Sequence, residues 1–499
     1  MRTVRRGPTS ALLSLLLSAC AHTPSAPAPR AACEALTGRS VEGARVTRAT
    51  LVPAERELPE YCQVLGTLPP ALDFELRLPS AWNGRTVYGG GGGFDGVIFP
   101  GEEFTEQGYA SVASNGGHNG DTLDAAFALE PEKRDDFASL SVHRVLSVVQ
   151  ALIRERYGRA SERTWFEGCS NGGREGLIAA QRWPEDFDGI IARAPAYDFT
   201  ELMLTFHHHA QRLGRPGALP SKLKLARLGQ EVLDACDAKD GLADGILAHP
   251  VCDFDPAILQ CPADGSATCF TPEEVASARA LLAPYDVVGR RYSEGWPPGS
   301  AEDPGGWAAW RTDNGDLSTS AGARLSREFL RYFITRQPTL DPSTFQLDDW
   351  LRRADTVSAE LSANTVNLER FRARGGKLVL WHGGADGIVS ARGTAAYYAR
   401  VVQAAGGQAQ ADTFVEYFPA PGVNHCGGGP GADRVNLLPA LEAWVERGVP
   451  PSQAGLVATK HATCGRAVLS RPLCKAPHYP RYDGHGDPTR AESFSCVAP

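Results

Sequence analysis

The chain has 499 residues, 42% of them hydrophobic and 22% charged, and a formal net charge of −8. That length exceeds what one core usually fills, so two domains, or one domain with a large insertion, are expected. The acidic balance, with no basic stripe, argues against nucleic acid as a partner.

Arg2, Arg5 and Arg6 precede a short apolar run, 11–19, that is too brief to span a bilayer, so residues 1–19 read as a signal peptide. Leu17-Ser18-Ala19-Cys20 resembles the lipobox of bacterial lipoproteins, which would make Cys20 the lipidated first residue and 20–32 a Pro/Ala-rich tether. An ordinary secretory signal cleaved near Ala19 or Ala21 is the alternative. Either way the chain is expected to be exported, as an outer-membrane or periplasmic lipoprotein or a secreted protein. Membrane contact is expected only through the lipid anchor, since no other segment reads as long and apolar enough to cross. Twelve cysteines in an exported chain read as a disulfide framework.

Along the chain, residues 76–93 read as strand, turn and strand, ending in five glycines, Gly89 to Gly93. Val142, Val145, Val149, Leu152 and Ile153 fall three or four apart and predict a helix over 139–157. A strand at 164–167, a helix at 174–182 and a strand at 187–192 follow. From about Asp198 to Arg370 the chain is rich in loops, Pro, Gly and Trp, has four cysteines and shows no strand–helix alternation. A strand at 377–382, a helix at 393–402 and a strand at 414–418 come next. This alternation predicts an α/β fold with a mostly parallel sheet. Residues 33–197 and 371–499 would form an α/β-hydrolase catalytic domain, and 198–370 a lid domain carried above the carboxyl ends of the strands.

Gly168-Cys169-Ser170-Asn171-Gly172 has the G-x-S-x-G form of a nucleophile elbow, a strand-to-helix turn that exposes its serine. Asp386 and His425 follow in the order nucleophile, acid, base that this fold uses. His425 would deprotonate Ser170 for attack on an ester carbonyl and then protonate the leaving alcohol, with Asp386 orienting the imidazole. Cys169 precedes the serine and Cys426 follows the histidine, so a bridge between them would set nucleophile and base side by side. The oxyanion needs two backbone donors, here the amides of Asn171 and Gly92, the latter in a glycine run that lets backbone approach substrate closely.

Four further features stand out. Asp237, Asp240 and Asp244, with the carbonyls of Leu242 and Ile246, could form a hard-oxygen shell of the kind Ca2+ takes. The spacing differs from the EF-hand, and on spacing alone a solvated acidic turn is the favoured reading. His207, His208 and His209 are consecutive, so on a helix they point apart and no zinc site is expected. His118 reads as structural. Trp296, Trp307, Trp310, Phe329, Tyr332, Phe333 and Trp350 could line an aromatic-acid pocket, although most are expected in the core.

Residues 168–177 and 180–189, Asp386, the stretch His425–Gly429, and the tail motifs Arg471–Cys474, Tyr482 and Phe494–Cys496 together resemble the tannase and feruloyl esterase family. The likeness runs from about Cys33 to Cys496. It implies an α/β-hydrolase core with a large lid, the Cys169–Cys426 bridge, and a structural Ca2+ in the lid on Asp237, Asp240, Leu242, Asp244 and Ile246. With local spacing, it also implies the pairs Cys33–Cys62, Cys236–Cys252, Cys261–Cys269 and Cys474–Cys496, leaving Cys464 unpaired. The implied activity is hydrolysis of esters of hydroxycinnamic, gallic or terephthalic-type acids through an acyl-enzyme on Ser170. The substrate would be a small-molecule aromatic ester or feruloylated or galloylated plant material. Asn171 stands where Thr or another small residue is more usual, and Gly-Val-Asn-His where Gly-Met-x-His is expected. A short-chain alkyl esterase, or a non-catalytic polyphenol- or carbohydrate-binding surface lipoprotein, are the alternatives.

Overall fold

A computed structural model describes residues 29–262, 267–300, 306–312, 315–463 and 465–499. Cys20, the signal segment, most of the tether and Cys464 lie outside the described residues. Ten strands pair into one sheet: β1 (Ser40–Val41), β2 (Ala44–Val52), β3 (Tyr61–Leu68), β4 (Leu72–Pro79), β5 (Arg85–Gly89), β6 (Ala110–Ser114), β7 (Arg163–Cys169), β8 (Gly189–Arg193), β11 (Lys377–Gly383) and β12 (Val415–Ala420). Their order is β1-β2-β3-β4-β6-β5-β7-β8-β11-β12. The pairs from β6 across to β12 are parallel, and those from β1 to β6 through β4 are antiparallel. β2 largely alternates between buried and exposed positions, as a strand with one wet face does, whereas β8 and β11 are buried almost throughout, as strands covered on both faces are.

Helices α1 (Ser141–Tyr157) and α2 (Asn171–Arg182) help cover the sheet, and the apolar positions that predicted α1 all lie in its core. α1 continues a helical run from Pro131 that is long and apolar enough to cross a membrane, contrary to the expectation that no such segment follows the N-terminus. The run is mostly buried against the sheet, and its apolarity serves the core.

Between β8 and β11 no strand among the described residues joins the main sheet. The segment expected to be loop-rich instead holds α3 (Phe199–Leu213), α4 (Lys222–Cys236), α5 (Pro272–Leu282), α6 (Ala321–Phe329), α7 (Leu351–Leu361) and a hairpin of β9 (Tyr285–Val287) and β10 (Arg290–Ser293). Gly and Pro there punctuate the helices at their ends; α5, for example, starts at Pro272 behind a Thr271 capping box. Trp296, Phe329 and Phe333 are buried in one apolar cluster of this segment and Trp307 in another. The chain then adds α8 (Ala391–Ala404), α9 (Leu438–Arg447) and two ribbons, β13 (Val457–His461) with β14 (Ala467–Pro472) and β15 (Tyr479–Tyr482) with β16 (Phe494–Val497). Disulfides join Cys33 to Cys62, Cys169 to Cys426, Cys236 to Cys252, Cys261 to Cys269 and Cys474 to Cys496.

Candidate active site

Ser170 follows β7 directly and precedes α2, with φ 63° and ψ −121°. Only a tight turn holds a non-glycine residue there, and glycine neighbours make it possible. A Cβ on Gly168 would come within 2.7 Å of the Gly172 backbone, and one on Gly172 within 2.7 Å of Gly91 O. The elbow is therefore packed backbone against backbone on the glycine run that follows β5, and Gly172 N donates to Gly91 O at 3.1 Å.

Asp386 lies in the loop after β11, and His425 in the loop after β12. His425 Nδ1 is 2.7 Å from Asp386 Oδ2. The carboxylate has no solvent exposure, and its other oxygen accepts the amides of Ile388 at 2.8 Å and Val389 at 3.0 Å. Burial pushes the Asp386 carboxyl upward, but the charge of His425 and the hydrogen bonds of His382 and His425 outweigh it and hold the group well below the usual carboxylate range. It is therefore an ionised orienter for the imidazole. With Nδ1 on Asp386, Nε2 is the nitrogen left to take the Ser170 proton.

His382 is a partner that sequence reasoning passed over, although it starts the motif that holds the acid. It is wholly buried; its Nε2 meets both Asp386 Oδ2 at 3.0 Å and Val389 O at 3.1 Å, and its Nδ1 meets Thr394 Oγ1 at 2.8 Å. Both partners of Nε2 accept, so Nε2 carries the proton and Thr394 donates to Nδ1. Asp386 Oδ2 is thus shared by two histidines.

The Cys169–Cys426 bridge has a Cα–Cα distance of 5.9 Å and joins the residue before Ser170 to the residue after His425. Cys426, like Ser170, holds a left-handed φ, 62°. Among the glycines, the Gly90 amide goes to Glu167 O and the Gly91 amide to Glu175 Oε2 at 2.9 Å. Among the described residues the Gly92 amide makes no hydrogen bond, and the Asn171 amide opens α2 with no partner either, where the helix dipole favours negative charge. Trp310, from the inserted segment, meets His425 edge-on with ring centroids 6.1 Å apart.

The other expected sites are placed as follows. His118 is buried, stacked on Phe127 with its Nε2 2.8 Å from Phe94 O. His207 and His209 are buried on α3, and His208 stacks on Tyr285. The acidic loop after α4 curls on its own amides: Gly245 N donates to Asp237 Oδ2, Leu242 N and Ala248 N to Asp240, and Ile246 N to Asp244 Oδ1. Asp244 Oδ2 is taken by Arg471 at 2.5 Å. Among the described residues no three His, Cys, Asp or Glu side chains are gathered as a metal-ligating group. Two observations nonetheless fit a hard cation here. Asp237 Oδ1 is buried without a hydrogen-bond partner. Burial pushes Asp240 up to about 6, with the charges of Asp244 and Asp237 adding to the rise against the amides of Ala248 and Leu242.

A sequence profile described as "Tannase and feruloyl esterase" matches residues 56–497. The chain belongs to the tannase and feruloyl esterase family. It is 34% identical to mono(2-hydroxyethyl) terephthalate hydrolase of Piscinibacter sakaiensis, over 95% of this chain and 92% of that one. It is 30% identical to a probable feruloyl esterase B-1 of Aspergillus terreus, over 85% and 83% of the two chains. The fold matches a crystal structure of feruloyl esterase B from Aspergillus oryzae with a TM-score of 0.83 and 25% identity, covering 94% of this chain and all of that one. Like its relatives, this member of the family is a carboxylic ester hydrolase with an α/β-hydrolase fold. Its five bridges mark a chain that matures in an oxidising compartment.

Proposed function

We propose that the chain hydrolyses esters of planar aromatic acids through an acyl-enzyme on Ser170. The observation that carries this reading is the 2.7 Å contact of His425 Nδ1 with the buried, ionised Asp386, in a loop that the disulfide joins to the residue before Ser170. His425 Nε2 takes the Ser170 proton as Oγ attacks the ester carbonyl. The tetrahedral oxyanion is received by the amides of Gly92 and Asn171. The imidazolium then gives its proton to the departing alkoxide, leaving Ser170 acylated, and the same base activates the water that releases the acid.

Aromatic acyl preference is supported by the names of the relatives and by Trp310, whose ring meets the base edge-on. On this reading 198–370 acts as the lid and brings that ring to the site. Ca2+, where bound, would neutralise the acidic loop from Asp237, Asp240 and Asp244 and the carbonyls of Leu242 and Ile246, and it would be structural. Lipidation at Cys20 would tether the exported enzyme to a membrane. The test is a panel of methyl ferulate, methyl gallate, a terephthalate half-ester and p-nitrophenyl butyrate with wild type and Ser170→Ala. We expect the aromatic esters to be preferred, a stable acyl adduct to form on Ser170, and the variant to lose about 10^6 in kcat. Equal rates for wild type and variant would remove Ser170 from the mechanism; a preference for butyrate would assign the site to alkyl esters.

A further inference from the structure

Two carboxyl groups lie beneath the oxyanion site, and the reaction as derived uses neither. Asp95 has no solvent exposure and Glu175 only 6%. Asp95 touches both oxyanion donors: its amide donates to Gly92 O at 2.8 Å, and its Oδ1 accepts from Asn171 Nδ2 at 2.6 Å. Glu175, one α2 turn on from Asn171, accepts the Gly91 amide. The Gly91 backbone lies so close above Asp95 that a Cβ there would meet Asp95 Oδ2 at 2.6 Å.

Asp95 Oδ2 is buried with no hydrogen-bond partner among the described residues, and it lies against Gly91, the residue whose amide Glu175 Oε2 accepts, so the two carboxyls are neighbours. Two acceptors cannot bond to each other unless one carries a proton, and two unsolvated like charges in contact are strongly disfavoured. Arg174 does not resolve the conflict. Its Nε donates to Asn171 Oδ1 and its other nitrogens to the carbonyls of Phe137, Ala138 and Leu361, so neither carboxyl receives a hydrogen bond from it.

We propose that Asp95 is a positioning residue for the oxyanion hole, protonated at neutral pH and donating its Oδ2 proton to the Glu175 carboxylate. The pair then carries one negative charge and fastens the glycine run, through Gly91 and Gly92, to Asn171 at the head of α2. Burial first, and the Glu175 charge next, raise the Asp95 carboxyl well above the carboxylate range, in keeping with this arrangement. The other charged or titratable groups facing the pair are Arg174 on α2 and Tyr88 on β5, whose hydroxyl donates to Ser114; His118, on Phe94 O, lies next along the 115–118 loop. Asp95 sits at φ 57°, a region that Asn tolerates as well as Asp.

This inference rests on the oxyanion assignment of Gly92 and Asn171. Asp95→Asn keeps an acceptor for Asn171 and supplies a permanent N–H for Glu175, so kcat should stay within about threefold of wild type at pH 7, whereas Asp95→Ala should lower kcat at least about tenfold with little change in KM, part of the 10^2–10^3 that one donor is worth. As pH rises and the shared proton is lost, wild-type kcat should fall, and Asp95→Asn should not show that fall. Thermal melts confirm that each variant is folded. Infrared difference spectra in H2O and D2O should show a protonated-carboxyl stretch in wild type that Asp95→Asn lacks. That band is read whether or not Ser170 is the nucleophile, so failure of the esterase mechanism and failure of this pair are distinguishable. Asp95→Asn as damaged as Asp95→Ala, or a wild type with no such band, would overturn the proposal.

Discussion

Asp386, the proposed acid, is fixed by four hydrogen bonds, from the amides of Ile388 and Val389 and from His425 and His382. Because Asp386 is held below the usual carboxylate range, its contribution to stability is present above the unfolded-state value and is lost only as pH falls through the depressed folded value. It therefore stays charged over any working pH, and the acid limb of kcat/KM should be unaffected by its titration. Asp386→Asn keeps the shape but presents an N–H where the imidazole needs an acceptor, so kcat should fall about ten-thousandfold with the melting temperature little changed; a pH–rate profile and a melt check both points. The turn at Ser170 and the pairing of Asp386 with His425 were legible in the sequence because the elbow has a local spacing and the fold prescribes an order. His382 and Asp95 were not, though His382 ends the strand expected at 377–382 and Asp95 follows the glycine run by two residues. Asp95 matters through a neighbour across the fold, a contact that leaves no spacing to read; His382 meets Asp386 only four residues on, but nothing in its residue type says which side chain it faces.

At the scale of elements, Ser170 and His425 sit on separate strand-end loops joined by the Cys169–Cys426 bridge. Ser170 and Cys426 both hold left-handed backbone, which the surrounding contacts must enforce. Replacing both cysteines by alanine together, so that no thiol remains, should lower kcat by at least about tenfold while a cooperative melt persists, since strained sites depend on surroundings that over-determine them. Unchanged kcat would make the bridge a matter of stability alone. The strands and helices around the elbow were predicted to within a few residues, because parallel strands buried on both faces read as unbroken apolar runs. β6, Ala-Ser-Val-Ala-Ser, was missed: its five residues are small and all buried, so no periodicity betrays it. The helices between β8 and β11 were obscured by the Pro and Gly at their ends.

Over the whole molecule, the acidic loop ties the inserted segment to the C-terminal ribbons, with Asp244 held by Arg471 on β14 and Cys236 at the loop's start bridged to Cys252. A cation bound there would stabilise the folded chain by mass action, about 2.7 kcal/mol when its concentration is a hundred times its Kd. Added Ca2+ should therefore raise the melting temperature of chelator-treated protein, with kcat at low temperature little changed, and Asp237→Asn should abolish the rise; calorimetry with and without Ca2+ reads it. In the sequence, strand–helix alternation stops where the main sheet is interrupted between β8 and β11, but the fold of that segment was not legible, since its helices pack on one another through long-range apolar contacts.

The bridge between Cys169 and Cys426 also encloses everything between β7 and the histidine loop in a covalent ring. The inserted segment is a bight on that ring, both of whose ends return to the same knot. A single cut anywhere in it opens the circle without parting serine from histidine, leaving a two-chain enzyme that separates only under reductant. The inserted segment can thus be cut once while the loops that carry Ser170 and His425 stay joined.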